Sequence, residues 1–494
     1  MRRIALSLAT AAAALAAAAC APRVSVPPPR IGTPPVFEAP SVDTVGAIDL
    51  DRWWLGFGDP QLTALIEQAL SNSADARLAM ARLEEAQAVR AGALSRFGLQ
   101  GDLQANATTQ RQTVLSGTGG PIAGQPGQAP GQPGAPGGAA PFIGGNITTL
   151  APNLNLSWEA DLFGRRAATR SGADADLIAA RFVYEGARAA LAADVADALF
   201  VARGLVRQLA DGREAVRIQR ELRGVLHARA TRGLTADAEV ASVDADLRHA
   251  EARAEALDAE LTAAKRILLV LTGADQARTG DIIISETIAE APRVPASLPG
   301  DLLRRRPDIR EAEARFRSAV ATAEVRRLDL FPRLTLNPGA GITQISGDFD
   351  LSIITWTLAG GLALPLLDRR RLLTELRAQT ARADQAAATY EKTVQTAFSE
   401  ADQALVRLSA DRRRVTLLEE GTVRANTAFI AQRTLFDRGL SDLQQLLDAE
   451  RIWRSAREAE TSARTDTLRR SVTSFKALGG GWPSASPSQE SPTR

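Results

Sequence analysis

Two periodicities divide the chain. In four short stretches apolar and polar residues alternate with a period of two. Leu99, Gly101, Leu103, Ala105 and Ala107 alternate with Gln100, Asp102, Gln104, Asn106 and Thr108, and Leu150, Leu154, Leu156, Trp158, Ala160 and Leu162 oppose Asn153, Asn155, Ser157, Glu159 and Asp161. Further on, Leu334, Leu336, Pro338, Ala340 and Ile342 alternate with Thr335, Asn337, Gly339, Gly341 and Thr343, while Ile354, Trp356, Leu358, Leu362, Leu364 and Leu366 form a fourth apolar face. Strict alternation over ~10 residues predicts strands with one apolar and one polar side. A soluble sandwich and a membrane barrel both satisfy it.

The remaining pattern is helical. A run from 61 to about 96 carries Leu62, Leu65, Ile66, Ala69 and Leu70 at helical spacing. Two far longer runs cover roughly 165–231 and 369–437; at 1.5 Å per residue either would reach about 100 Å, several times the ~30 Å hydrocarbon layer of a bilayer. Both are too charged to lie in lipid. Val394, Phe398, Ala401, Leu405 and Leu408 step 4, 3, 4, 3, the spacing of a coiled-coil seam. No run after Ala21 holds the ~20 apolar residues of a membrane helix, so any membrane crossing must use strands.

These elements occur twice. Asp75, Arg77, Ala79, Ala81, Arg82 and Leu83 recur as Asp308, Arg310, Ala312, Ala314, Arg315 and Phe316, an offset of 233, and Phe97 matches Phe331 at 234. Arg232, Gly233, Leu234 and Thr235 recur as Arg438, Gly439, Leu440 and Ser441 at an offset of 206. The first half therefore holds about 28 extra residues between these landmarks. They are the Gly/Pro/Gln-rich stretch 116–140, a flexible loop by composition. The chain reads as two copies of one unit.

Composition narrows the chemistry. Of 494 residues, two are His and one is Cys, too few for a zinc or thiol centre. No clustered nucleophile, base and oxyanion donor can be named, so neither catalytic residues, a cofactor nor a metal is expected. A net charge of +2, spread evenly, gives no footprint for nucleic acid. The dominance of Ala, Leu and Arg with only 4% aromatics suits close-packed helices.

The amino terminus reads as an export signal: Arg2 and Arg3, an apolar run 4–19, then Ala17, Ala18 and Ala19 ahead of Cys20. It is either an ordinary signal peptide cleaved nearby or, by resemblance to bacterial lipoprotein signals, the leader of a mature chain that begins at an acylated Cys20. Several acyl chains would anchor stably where one binds marginally. A Pro-rich tether follows up to about residue 45. Four strands cannot close a barrel, because the smallest membrane barrels use eight. Oligomerisation is implied, with two or three chains equally compatible with symmetry.

The order of marks resembles the TolC family of outer-membrane efflux lipoproteins, in its NodT or OprM-like subgroup. Those marks are Trp53-Trp54 with Phe57, Asp59, Pro60 and Leu62; Leu156-Ser157-Trp158-Glu159 through Asp161-Leu162-Phe163-Gly164-Arg165; Arg306-Pro307-Asp308-Ile309; and Lys476-Ala477-Leu478-Gly479-Gly480-Gly481-Trp482. The resemblance implies a mainly α fold with a membrane β-barrel portion: a homotrimer whose twelve-stranded barrel in the outer membrane continues as an α-helical tube through the periplasm. It further implies an exit duct that passively conducts substrates from an inner-membrane RND-type transporter through a periplasmic adaptor (membrane fusion) protein. The adaptor-contacting tips would be Arg232, Gly233, Leu234 and Thr235 with Arg438, Gly439, Leu440 and Ser441. Gly233 and Gly439 also suit a left-handed helix cap, and exposed Leu234 and Leu440 would offer apolar contact. The periplasmic gate would lie at Asp448, Arg451 and Gln444. Three copies of Asp448 around a narrow axis would select cations; Ser242 stands at the equivalent position of the first copy, so the ring belongs to one copy only. Asp448 and Arg451 also have the spacing of an ordinary surface pair.

The expected layout is a lipoprotein signal at 1–19, a lipidated terminus and tether at 20–47, a first repeat at 48–290 (hairpin about 97–163, loop 114–146), a second at 291–482 (hairpin about 331–367) and a disordered tail at 483–494. Two other functions remain: the duct of a type I protein-secretion system, and a soluble periplasmic coiled-coil scaffold.

Overall fold

In a computed structural model the described residues are 22, 24–32, 34, 36–38, 50–112, 145–294, 299–347 and 350–481. The signal, Cys20, the stretch 116–140, Trp482 and the carboxy-terminal tail lie outside them. After a 3-10 segment at Leu50–Phe57 come α1 (Pro60–Asn72), α2 (Ala74–Ser95), β1 (Gln100–Gln112), β2 (Gly145–Ala160), α3 (Arg165–Ala230) and α4 (Asp237–Leu271). The second half repeats the order with α5 (Pro299–Arg305), α6 (Pro307–Leu328), β3 (Arg333–Ser346), β4 (Leu351–Ala363), α7 (Arg369–Asp437) and α8 (Leu443–Ala477). No described helix is long and apolar enough to cross a membrane. Two compact units result, each drawing on both halves: one from the described parts of Met1–Ser25, Ala91–Ser171 and Ala321–Thr380, the other from those of Val26–Arg90, Gly172–Val320 and Ala381–Arg494.

The first unit is organised by one antiparallel sheet in the order β1-β2-β3-β4. Its register brings the apolar residues of the four strands into cross-strand rows, with Leu103 opposite Leu154, Leu154 opposite Ala340, Ala340 opposite Trp356 and Ile342 opposite Ile354. The rows face outward: Leu103, Trp356 and Leu358 are 73%, 80% and 79% exposed. Oligomer- or lipid-facing surfaces have this character, whereas isolated soluble chains rarely expose so large an apolar face. Strand β2 hands over to α3 through a built corner. Asp161 accepts the N–H groups of Arg165 (2.7 Å) and Arg166 (3.0 Å), satisfying donors that the first turn of α3 would leave open. Arg165 pairs with the buried Asp329 and donates to the Leu328 carbonyl at 3.0 Å, and Phe163 lies on Phe331.

The second unit is helical, and its core joins residues from both ends of the chain. Trp53 is fully buried and stacks on Phe475 at 5.7 Å, with Phe57 edge-on to both. The Gly480 and Gly481 N–H groups donate to the Phe475 and Leu50 carbonyls. A Cβ on Gly480 would sit 3.0 Å from the Leu50 oxygen, so the close approach requires glycine. Arg306, buried ahead of the helix-starting Pro307, donates to Asp308 (2.7 Å), Glu400 (2.8 Å) and the Ala477 carbonyl (3.1 Å). The paired and hydrogen-bonded charge is thereby kept tolerable in the core.

Two expectations change. The helical run after residue 61 is two helices: Ser73 is extended, and its Oγ accepts the Ala76 N–H at 3.0 Å, so the hydroxyl starts α2 where the apolar pattern continues unbroken. The seam of α7 is Tyr390, Val394, Ala397, Ala401, Ala404 and Leu408, with Phe398 and Leu405 half-buried at its margin. Small alanines occupy the closest approach, and Phe398 turns aside to stack on Phe37. Replacing Trp53 with alanine should lower stability by about 3–5 kcal/mol, read as a fall in the thermal midpoint of the helical circular dichroism signal; an unchanged midpoint would remove this core from its assigned role.

Candidate functional site: helix turns and the acidic face of the last helix

The two turns that end α3 and α7 have one geometry. Gly233 and Gly439 take φ of +72° and +73°. Gly233 N–H donates to the Ala230 carbonyl and Leu234 N–H to that of Arg229; Gly439 and Leu440 do the same to Phe436 and Leu435. These paired bonds define the Schellman closure of a helix, in which the left-handed position falls to glycine. The next residue is thrown outward, leaving Leu234 and Leu440 each 71% exposed. Arg232, Thr235, Arg438 and Ser441 complete the turns, and Ser441 Oγ meets Gln432 and Gln445. Beneath them Phe429, Phe436, Leu226, Leu446 and Trp453 form a separate core, with the Arg229 guanidinium 5.0 Å over the Phe436 ring.

In α8, Gln444, Asp448 and Arg451 come together on one helix face, as their spacing of four and three requires. Gln444 Nε2 lies 3.4 Å from Asp448 Oδ1, and Arg451 Nη1 is 3.5 Å from the same carboxylate. The shorter bond of Arg451 reaches across to Asp246 of α4, at 3.1 Å. Asp246 was not among the sequence candidates. Its signal was one helical turn beyond Ser242, the residue that the repeat offset singles out. All of these charges are at least partly solvated, so each pair contributes about 0–1 kcal/mol, a linkage between helices that can be broken at small cost.

Residues 65–274 and 298–480 match the model described as outer membrane efflux protein. The chain belongs to this outer membrane efflux protein family. It is 28% identical over 460 residues to the pyoverdine export outer membrane protein OpmQ of Pseudomonas putida, covering 92% of this chain and 93% of the relative. It is 28% identical to the outer membrane protein OprJ of Pseudomonas aeruginosa, covering 88% and 87%. The solved structure of the outer-membrane channel OprN superposes with a TM-score of 0.76 at 27% identity, over 93% of this chain and all of that one.

Behind the exposed face of α8, this efflux protein buries a carboxylate. Glu450 is 2% exposed, and Gln219 of α3, fully buried, donates to it through Nε2 at 2.5 Å. Burial pushes the Glu450 carboxyl above its usual 4.5; Arg454, Arg451 and the Gln219 amide favour the ionised form, and Asp246 opposes it. An acid whose folded pKa is raised contributes stability that is complete below the unfolded value and is lost as pH rises through the folded one. The wild-type helical unit should therefore gain thermal stability between pH 7 and pH 5 relative to Glu450→Gln. Parallel melting curves for the two proteins over that range would contradict the assignment.

Proposed function

We propose that three copies of this chain form the exit duct of a tripartite multidrug efflux system in the outer membrane. Their four-stranded sheets would close as a twelve-stranded barrel, and their long helices would build the periplasmic tube. The observation that carries this reading is the sheet itself, which exposes a continuous apolar face and, among the described residues, leaves the outer edges of β1 and β4 without strand partners. Unpaired edges cannot stand in hydrocarbon, and three copies supply twelve strands where closure needs at least eight. Cys20 would carry the acyl anchor beside the barrel, and the repeats at 48–290 and 291–482 would each supply one hairpin and one pair of long helices.

Substrates would enter from an inner-membrane RND-type transporter through a periplasmic adaptor. The adaptor would engage the turns at 232–235 and 438–441, where Leu234 and Leu440 present apolar side chains on rigid, glycine-closed corners. Conduction is passive on this reading. Asp448, Arg451 and Gln444, joined by Asp246, would form the periplasmic constriction. With three copies of Asp448 facing one axis, mutual repulsion is relieved by hydration, by cations or by the Arg451 contacts. Weak, solvated pairs suit a gate that must part when the assembly engages.

Removing the Asp448 carboxylate should raise single-channel conductance or reduce cation selectivity in planar bilayers. Asp448→Ala indistinguishable from wild type in both quantities would remove the gate from this position, while recovery of the wild-type chain in the soluble periplasmic fraction would overturn the duct itself.

A further inference from the structure

The lipid-facing side of the sheet ends abruptly in arginine, and the same arrangement occurs in both repeats. In the first, the apolar row runs through Trp158 and Ala160 to Leu162, 62% exposed, and Arg166 follows four residues later. In the second it runs through Leu362 to Leu366, 68% exposed, and Arg370 follows four residues later, after the 99% exposed Leu367. Leu162 and Leu366, and Arg166 and Arg370, share an offset of 204. Both arginines are exposed.

Several of the neighbouring charges are paired with one another, while Arg166 and Arg370, like Arg96 and Arg377, carry no ion pair among the described residues. Asp329 takes Arg165, Arg326 and Arg333; Arg371 holds Asp368 and Glu375; Arg327 holds Glu324. Among the described residues neither Arg166 nor Arg370 has an acidic side-chain partner; the Asp161 carboxylate near Arg166 is occupied by backbone N–H groups. Segments 91–99, 159–171, 324–333 and 366–377 together hold eleven Arg and six Asp or Glu, a surplus of five in a chain whose total is only +2. The excess positive charge is thus concentrated where the strands join the helices.

The spacing matches a membrane. Strand β4 itself, Leu351–Ala363, covers twelve steps at ~3.3 Å, and a tilt of about 40° reduces this to about 30 Å, the thickness of the hydrocarbon layer. Arg166 and Arg370 then fall in the headgroup zone, where a guanidinium can grip phosphate oxygens by two parallel hydrogen bonds. We infer that Arg166 and Arg370 are repeat-related contacts for the phosphates of anionic phospholipid in the periplasm-facing leaflet, fixing the depth of the barrel in the membrane. The inference rests on the outer-membrane duct reading.

The test uses the full chain purified from membranes and offered phosphatidylglycerol, phosphatidylethanolamine or inorganic phosphate, with retained lipid counted by native mass spectrometry. The wild type should retain phosphatidylglycerol several-fold over phosphatidylethanolamine, and Arg166→Gln/Arg370→Gln should lose that preference by about threefold or more while Arg166→Lys/Arg370→Lys keeps most of it. Arg232→Gln/Arg438→Gln, which removes as much charge at the helix turns, should leave it intact. Equal retention by wild type and the Gln pair, equal loss in the turn variant, or displacement of the lipid by millimolar inorganic phosphate would each overturn the assignment. Wild-type protein found in the outer membrane without the preference defeats only this inference; its absence from the outer membrane defeats the duct reading as well.

Discussion

Backbone hydrogen bonding at the two outer edges of the sheet is the constraint on which the rest of this protein depends. Inside the sheet every strand has a neighbour, from Gln100 opposite Ser157 at one end to Ile345 opposite Leu351 at the other. Among the described residues the outer edges of β1 and β4 have no strand partner. In water such edges invite aggregation; in hydrocarbon each unmet N–H or C=O costs several kcal/mol. With Trp356 and Leu358 exposed on the apolar face, the sheet is suited to neither environment alone. Closure with further copies of the chain, as proposed, removes both problems together.

The helical elements follow a complementary economy. Their polar termini are closed internally, by the paired glycine turns at Gly233 and Gly439 and by Asp442, which accepts the Gln445 N–H at the start of α8. Alanines at 397, 401 and 404 permit close helix contact in α7, and the solvated links of Arg451 to Asp246 and Asp448 add specificity with little stability. Buried polar groups that fix one arrangement include Arg203, paired with Asp59; Arg306, held by the more exposed Asp308 and Glu400; and Gln219 with Glu450.

Much of this was legible in the sequence because both periodicities are strong. The strands announce themselves by side chains that must alternate between two environments, and the long helices by 66 and 69 residues without a proline in the observed elements. The repeat offset located both turns, since only glycine accepts their positive φ cheaply. What stayed hidden depended on contacts between distant segments. Ser73 interrupts a helix through one hydroxyl bond that the apolar pattern does not register. The seam of α7 follows small residues, while sequence inspection favours large ones such as Phe398 and Leu405. Asp246 lies one turn from the position the offset indicates, and nothing in the local sequence distinguishes the buried Glu450 from its solvated neighbours Asp448 and Arg451.

Family membership and the geometry of the chain meet at the sheet edges, because a duct through the outer membrane requires them to be joined. The most direct measurement is cysteine cross-linking in the full chain, with one cysteine on the outer edge of β1 and one on the outer edge of β4. The account predicts covalent species that end at three chains, formed in membranes and abolished when either cysteine is absent. Bonds formed only within one chain, or a series that stops at two or continues past three, would contradict it.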